Sequence, residues 1–160
     1  MDLGTALIGI ISTTVCAIPF VITTRSRKKN EKALISSLKE LAKKQDSEIT
    51  QYETCGNYAI GIDETKNFVF FQLKNKNVIK EQFIDLATIK KCKLANYSSS
   101  NSYNDKEIEQ LNLDFIPINK NQSNILFEFY NSEESFQLSG ELQSIQKWNK
   151  LINNKLESKK

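Results

Sequence analysis

Hydrophobic positions change their spacing along this chain, and each change marks a structural boundary. From Leu3 to Thr24 no residue carries a formal charge, and Leu7, Ile8, Ile10, Ile11, Val15, Ile18, Phe20, Val21 and Ile22 crowd the run. At about 1.5 Å per residue, a helix of this length would reach roughly 33 Å, enough for a hydrocarbon core of about 30 Å. The pattern predicts a transmembrane helix over residues 3–24. Ser12, Thr13 and Thr14 would bond back to the helix backbone, and Pro19 is placed to bend it. Residues 30–45 follow another rule, with Ala33, Leu34, Ser37, Leu38 and Leu41 on one helical stripe and Lys and Glu largely elsewhere. That stripe predicts an amphipathic helix that packs on the following domain, lies along a bilayer or pairs with a second copy.

Near Thr50 the spacing shortens to runs rich in β-branched and aromatic residues. Asn57–Asp63 and Phe68–Leu73, separated by Glu64-Thr65-Lys66-Asn67, read as a hairpin. Further strands are predicted over Val78–Ile84, Thr88–Leu94, Leu111–Phe115, Ile125–Tyr130 and Ser135–Leu138. In Thr88–Leu94, Ile89 falls on one face and Cys92 and Leu94 on the other. The polar stretch 96–107 reads as an exposed loop. Residues 141–156 return to helical spacing, placing Leu142, Ile145, Trp148, Leu151, Ile152 and Leu156 near one face. The expected fold class is an N-terminal transmembrane helix (3–24), a basic juxtamembrane segment with its amphipathic helix (25–48), and a mainly β domain (49–157). In that domain seven strands form orthogonal sheets or a partly open barrel, and a C-terminal α-helix caps it with Trp148 as its largest plug.

Within this pattern, Ala59-Ile60-Gly61-Ile62-Asp63 precedes Phe68-Val69-Phe70-Phe71, and Phe83-Ile84-Asp85-Leu86 leads to Cys92. From about Ile49 to Leu156 the chain resembles the pleckstrin-homology-like fold, and more narrowly bacterial membrane-anchored proteins of unassigned function that carry such a domain. The resemblance implies binding of phosphoinositides, peptides or other proteins. Lipid-binding members of that fold place several Lys and Arg around the first hairpin. This hairpin offers Glu64 and Lys66, with Lys74 and Lys76 beyond its second strand, so phosphoinositide recognition is not the leading expectation.

Charge sharpens the division of the 160 residues. Residues 25–50 hold eight Lys/Arg against four Asp/Glu, whereas residues 51–160 hold fourteen of each. The excess follows the apolar run, opposite to the order of a cleaved export signal. By the positive-inside rule, the C-terminal domain is expected in the cytoplasm of a single-pass protein of the inner or plasma membrane. Arg25, Arg27, Lys28 and Lys29 are expected to meet anionic lipid headgroups. Aromatic residues do not interleave with this cluster, so no nucleic-acid partner is expected.

Candidate chemistry adds little. The chain has no His and three Cys, which excludes His-based catalysis and leaves few ligands for zinc. Cys16 reads as a small apolar residue of the first helix. Cys55 and Cys92 fit no redox motif, and Gly56 and Gly61 fit no phosphate loop. Asp63/Glu64, Glu107/Glu109 and Glu133/Glu134 are possible acid–base carboxylates, but each pair falls near a predicted turn or strand end. Tyr97 and Tyr103 lie in the polar stretch, where a protein contact is conceivable. No catalytic, cofactor-binding or metal residue is assigned. The expectation is a non-enzymatic, membrane-anchored binding or scaffolding protein with an unidentified protein partner. Its alternatives are a structural subunit of a membrane or envelope complex and an enzyme of unrecognised type.

Overall fold

Two antiparallel sheets share one apolar core, and a helix lies against the outer face of the larger sheet. The computed structural model describes residues 28–75, 78–100, 106–135 and 137–158. In chain order these are helix α1 (residues 28–43), β1 (Gln51–Cys55), β2 (Tyr58–Asp63), β3 (Phe68–Asn75), β4 (Val78–Asp85), a 3-10 turn (Leu86–Thr88), β5 (Ile89–Ser100), β6 (Lys106–Pro117), β7 (Ile125–Asn131) and helix α2 (Glu141–Glu157). The strand orders are β1-β2-β3-β4 and β5-β6-β7.

Side chains alternate across a strand, and in β2 and β3 both faces are buried. Tyr58, Ile60 and Ile62 of β2, with Val69, Phe71 and Leu73 of β3, face the second sheet and α2. Phe71 stacks on Phe127 and Phe129 of β7, with ring centroids 4.9 and 5.4 Å apart. From α2, Ile145, Trp148, Ile152 and Leu156 complete this main core. On the other face, Ala59 and Phe70 pack with Leu34, Leu38, Leu41 and Ala42 of α1 in a second, smaller cluster. Gly61 lets α1 come close, because a Cβ there would lie 2.9 Å from a methyl of Ile49 and 3.2 Å from Leu38. Gln72, also on this face, donates to Ser37 Oγ at 2.8 Å. The amphipathic stripe of residues 30–45 therefore covers the sheet.

A buried carboxylate fixes the connection that follows α1. Asp63 Oδ2 accepts from Ser47 Oγ at 2.5 Å and from the Glu48 N–H at 3.1 Å, while Oδ1 accepts from the Thr65 and Lys66 N–H groups. Burial works to raise its pKa. The hydroxyl of Ser47 and the three backbone N–H groups outweigh that and hold the carboxyl below its ordinary value of 3.8. Asp63 is thus a structural tie between the α1–β1 connection and the β2–β3 turn.

Several expectations need correction. Residues 3–24, Arg25 and Arg27 lie outside the described residues, and among those described no helix is long and apolar enough to cross a membrane. The described architecture is two sheets of four and three strands with a C-terminal helix, so the fold class with an N-terminal span is corrected to this. The membrane-anchored function, the single-pass cytoplasmic placement and the headgroup contact fall with that span. Lys28 and Lys29 are simply exposed residues in the first turn of α1, whose apolar stripe is spent on β2 and β3.

Among the described residues the β region has seven strands, but their membership differs from the expectation. Gln51–Cys55 is a strand that the periodicity did not mark, paired with β2 from Gln51↔Ile62 to Cys55↔Tyr58. Ser135, Gln137 and Leu138 join neither sheet, and Phe136 lies outside the described residues. Its polar groups close locally, with Tyr130 Oη donating to Ser135 O and Ser135 Oγ to Gln137 O. Part of the expected loop over 96–107 is instead ladder, pairing Asn96↔Leu111 and Tyr97↔Gln110. A register shift between Ile89 and Lys91 turns Ile89 into the core that also holds Cys92, although strict alternation sets them on opposite faces.

Two stability measurements check this packing. Trp148 is fully buried, and Trp148→Ala is expected to cost about 3–5 kcal/mol in denaturant unfolding; an unchanged midpoint would contradict its place in the core. Asp63→Asn is expected to cost roughly 2–3 kcal/mol at neutral pH. Because the folded-state pKa is depressed, this contribution is present above about 3.8 and is lost as pH falls through the folded value. The stability gap between wild type and variant should therefore close in acid, and a gap independent of pH from 7 to 2 would contradict the tie.

Candidate binding cleft between β4 and β7

Two sheets with free edges create two seams, and the chain treats them differently. At the seam between β1 and β5, α2 bridges the gap. Asn153 Oδ1 accepts from Cys92 N–H at 3.2 Å while its Nδ2 donates to Cys92 O at 2.8 Å, so one side-chain amide supplies β5 with what a neighbouring strand would supply. The Nδ2 group also donates to Asn149 O at 2.9 Å, which fixes its orientation. On the β1 side, Lys147 pairs with Glu53 at 2.5 Å. Burial works against the Glu53 carboxylate, but Lys147 and Ser144 outweigh it and hold its pKa below the ordinary range.

Between β4 and β7 no helix of the described residues intervenes. The two strands end their sheets, and Gln82 of β4 reaches across to donate through Nε2 to Leu126 O of β7 at 3.2 Å. The Gln82 Oε1 is buried without a hydrogen-bond partner, so this cap is half made, unlike the two-point contact of Asn153. Along the gap runs a cleft of about 760 Å³ lined by Asn57, Leu73, Lys74, Asn75, Val78, Lys80, Glu128 and Glu134. It continues into a recess of about 250 Å³ whose wall includes Gly56, Phe129, Tyr130, Ser135, Ser139 and Glu141. Val78 is the exposed large apolar residue that lines this cleft, whereas Phe83 turns to the other face of β4 and packs beside Phe68 and Phe70.

The β1–β2 turn shapes one end of this cleft. Gly56, at φ 55°, opens a two-residue hairpin turn that favours glycine at its first position, and a Cβ there would lie 3.1 Å from Glu141 Oε1. The next residue, Asn57, donates to Asn75 Oδ1 at 2.7 Å, and Asn75 in turn donates to Glu134 Oε2. This relay ties the hairpin turn and the end of β3 to the loop after β7. Glu141, at the first turn of α2, is buried and accepts from the N–H and hydroxyl of Ser139.

Charge is divided between the walls. Lys74 and Lys80 are exposed on the β3–β4 side, whereas Glu128, Glu134 and Glu141 line the recess without a cationic residue among them. None of the three carboxylates forms an ion pair among the described residues. Burial raises the Glu128 pKa, Glu134 raises it further, and Lys80 and Asn131 oppose the change. Among the described residues no three His, Cys, Asp or Glu side chains gather as a metal ion would require.

The residues singled out from the sequence mostly lie elsewhere. Cys55 and Cys92 are free thiols. Burial, with Glu141 and Glu53 adding, raises the Cys55 pKa, and burial pushes Cys92 up to about 12. Asp63 is the structural tie described above, and Glu64 pairs with Lys155 at 3.4 Å. Glu107 and Glu109 are exposed on β6, and Glu133 is exposed in the turn after β7. Tyr97 is exposed on β5, and Tyr103 lies outside the described residues. Of the carboxylates singled out, Glu134 lines the cleft, as does Lys74, and Gly56 lines the recess. Glu128, Glu141 and Gln82 were not singled out, and no local motif marks them, since their proximity arises when β7 and α2 close on the β3–β4 hairpin.

Comparison with protein-family models, with curated proteins and with solved structures finds no match to this chain. The resemblance to bacterial membrane-anchored proteins with a pleckstrin-homology-like domain is corrected accordingly: strand number and a terminal helix describe an architecture, and no family is attached to it.

Proposed function

We propose that the domain is a non-catalytic binding module that accepts an extended polypeptide segment in the cleft between β4 and β7. The observation that carries this reading is the contrast between seams: the β5 edge is closed at two points by Asn153, whereas the β7 edge at Leu126 receives one bond from Gln82, whose Oε1 is left without a partner, and Glu128 of β7 and Val78 of β4 line an open cleft. In an antiparallel ladder the N–H and C=O of one residue point the same way. Leu126 O faces Gln82, so the Leu126 N–H faces the β4 edge too. A strand laid along β7 would meet main-chain groups on one side and Val78 on the other, the mode in which backbone bonds supply affinity and side-chain pockets supply choice. The chemistry of the thiols agrees with a non-catalytic role. Both are held protonated by burial, and a thiol is a poor nucleophile in that form.

The test is selection of a random nine-residue peptide display library on the whole chain, followed by backbone chemical-shift mapping of a selected peptide. Perturbations are expected over Val78–Gln82 and Ile125–Asn131. Val78→Asp is expected to weaken binding about tenfold, the equivalent of roughly 1.4 kcal/mol of lost apolar contact. Its melting temperature should hold, because Val78 is 68% exposed. Perturbations confined to α1 or α2, or affinity indifferent to Val78→Asp, would overturn the reading.

A further inference from the structure

Where α2 crosses the first hairpin, three polar side chains converge inside the main core. Tyr58 Oη of β2 and Ser144 Oγ and Trp148 Nε1 of α2 are buried and have no hydrogen-bond partner among the described residues. Tyr58 and Trp148 are fully enclosed, and Ser144 is 4% exposed. We infer that one water molecule is bound between β1 and α2, accepting from the Trp148 indole N–H and the Tyr58 hydroxyl and donating to Ser144 Oγ and the Glu53 carboxylate. This site is separate from the cleft between β4 and β7 and does not rest on how that cleft is read.

The ion pair at the rim fixes the placement. Lys147 Nζ lies 2.5 Å from Glu53 Oε2, which holds the Glu53 carboxylate against the turn of α2 that carries Ser144 and Trp148. These two residues are four apart and so share one side of the helix. Both favour the charged form of Glu53, which sets them beside its carboxylate. Tyr58 pairs in register with Cys55 at the end of β1, and its hydroxyl stands next to Ser144. Ser144 is therefore the common neighbour of Tyr58 and Glu53.

The chemistry of these groups selects water. An indole N–H only donates, a carboxylate only accepts, and a hydroxyl does both. Two donors and two acceptors match the four hydrogen bonds of one water molecule. A cation would face the Trp148 N–H, an anion would face Glu53, and an apolar occupant would leave all three buried groups unmet. Buried water serves this purpose in folded proteins, bonding to polar groups that the chain itself does not satisfy. The Glu53 side chain is 23% exposed, so the site meets solvent along its rim.

The experiment is a high-resolution crystal structure of the whole chain, with denaturant unfolding of Tyr58→Phe, Ser144→Ala and the double variant. Electron density for a water is expected within hydrogen-bond distance of Trp148 Nε1 and of Tyr58 Oη, Ser144 Oγ and Glu53. Each single variant should raise the unfolding equilibrium constant about three- to tenfold. The double variant should raise it by less than the product of the two, because both remove bonds to the same water. Density in which the three groups bond directly to one another, with no water among them, would overturn the inference. An unchanged or lowered unfolding constant in Tyr58→Phe would do the same, since a hydroxyl without a partner is not missed, and so would a double variant that shows the full product.

Discussion

A strand at the edge of a sheet leaves a row of main-chain donors and acceptors unmet, and this domain has four such strands. Its sheets end at β1 and β4 and at β5 and β7. Long exposed edges invite pairing with other chains, so folded proteins cover them, charge them or bend them. The β5 edge uses two of these devices, with Asn153 holding Cys92 and Lys90, Lys91 and Lys93 exposed along the strand. β1 sits between helices, tied to α2 through Glu53 and to α1 through the bond from Thr54 Oγ1 to Glu31. Among the described residues, the edges of β4 and β7 are joined by one side-chain bond, from Gln82 to Leu126 O.

That asymmetry depends on α1 and α2 being committed elsewhere. α1 is held on the outer face of the four-stranded sheet by the apolar cluster around Phe70 and by Asp63, which grips the connection leading into β1. α2 is held by Trp148 and its neighbours in the main core and by polar links to β1, β5 and the β2–β3 turn. With β2 and β3 buried on both faces, the sheet is a rigid wall for the cleft, and the Asn57–Asn75–Glu134 relay sets the position of its far end.

The sequence made part of this legible. The stripe Leu34, Leu38, Leu41 announced an amphipathic helix, and the stripe from Leu142 to Leu156 announced α2 with Trp148 inward, because both follow the 3.6-residue period. The hairpin of β2 and β3 was visible in its β-branched and aromatic runs. Invisible were β1, whose polar sequence Gln-Tyr-Glu-Thr-Cys shows no apolar alternation, and the outer ends of β5 and β6, where Ile108 packs on the core between polar neighbours. The stripe of α1 pointed equally to a bilayer or a protein surface, since a helix does not state what covers it; the small residues Ala59 and Gly61 that receive it lie on another element. The cleft was illegible for a related reason. Glu128, Glu134 and Glu141 come together through tertiary closure, and Asn153 becomes a strand mimic only when it meets Cys92, sixty-one residues away.

The measurement that tests the account most directly is native-state amide hydrogen exchange at the two seams of the unliganded chain. The Cys92 amide, held by Asn153, is expected to exchange as slowly as the core strands, while the Leu126 amide, turned toward the β4 edge, is expected to exchange far faster through local exposure. Equal, slow exchange at both positions would mean that the β7 edge is as closed as the β5 edge and would contradict the distinction on which the binding cleft rests.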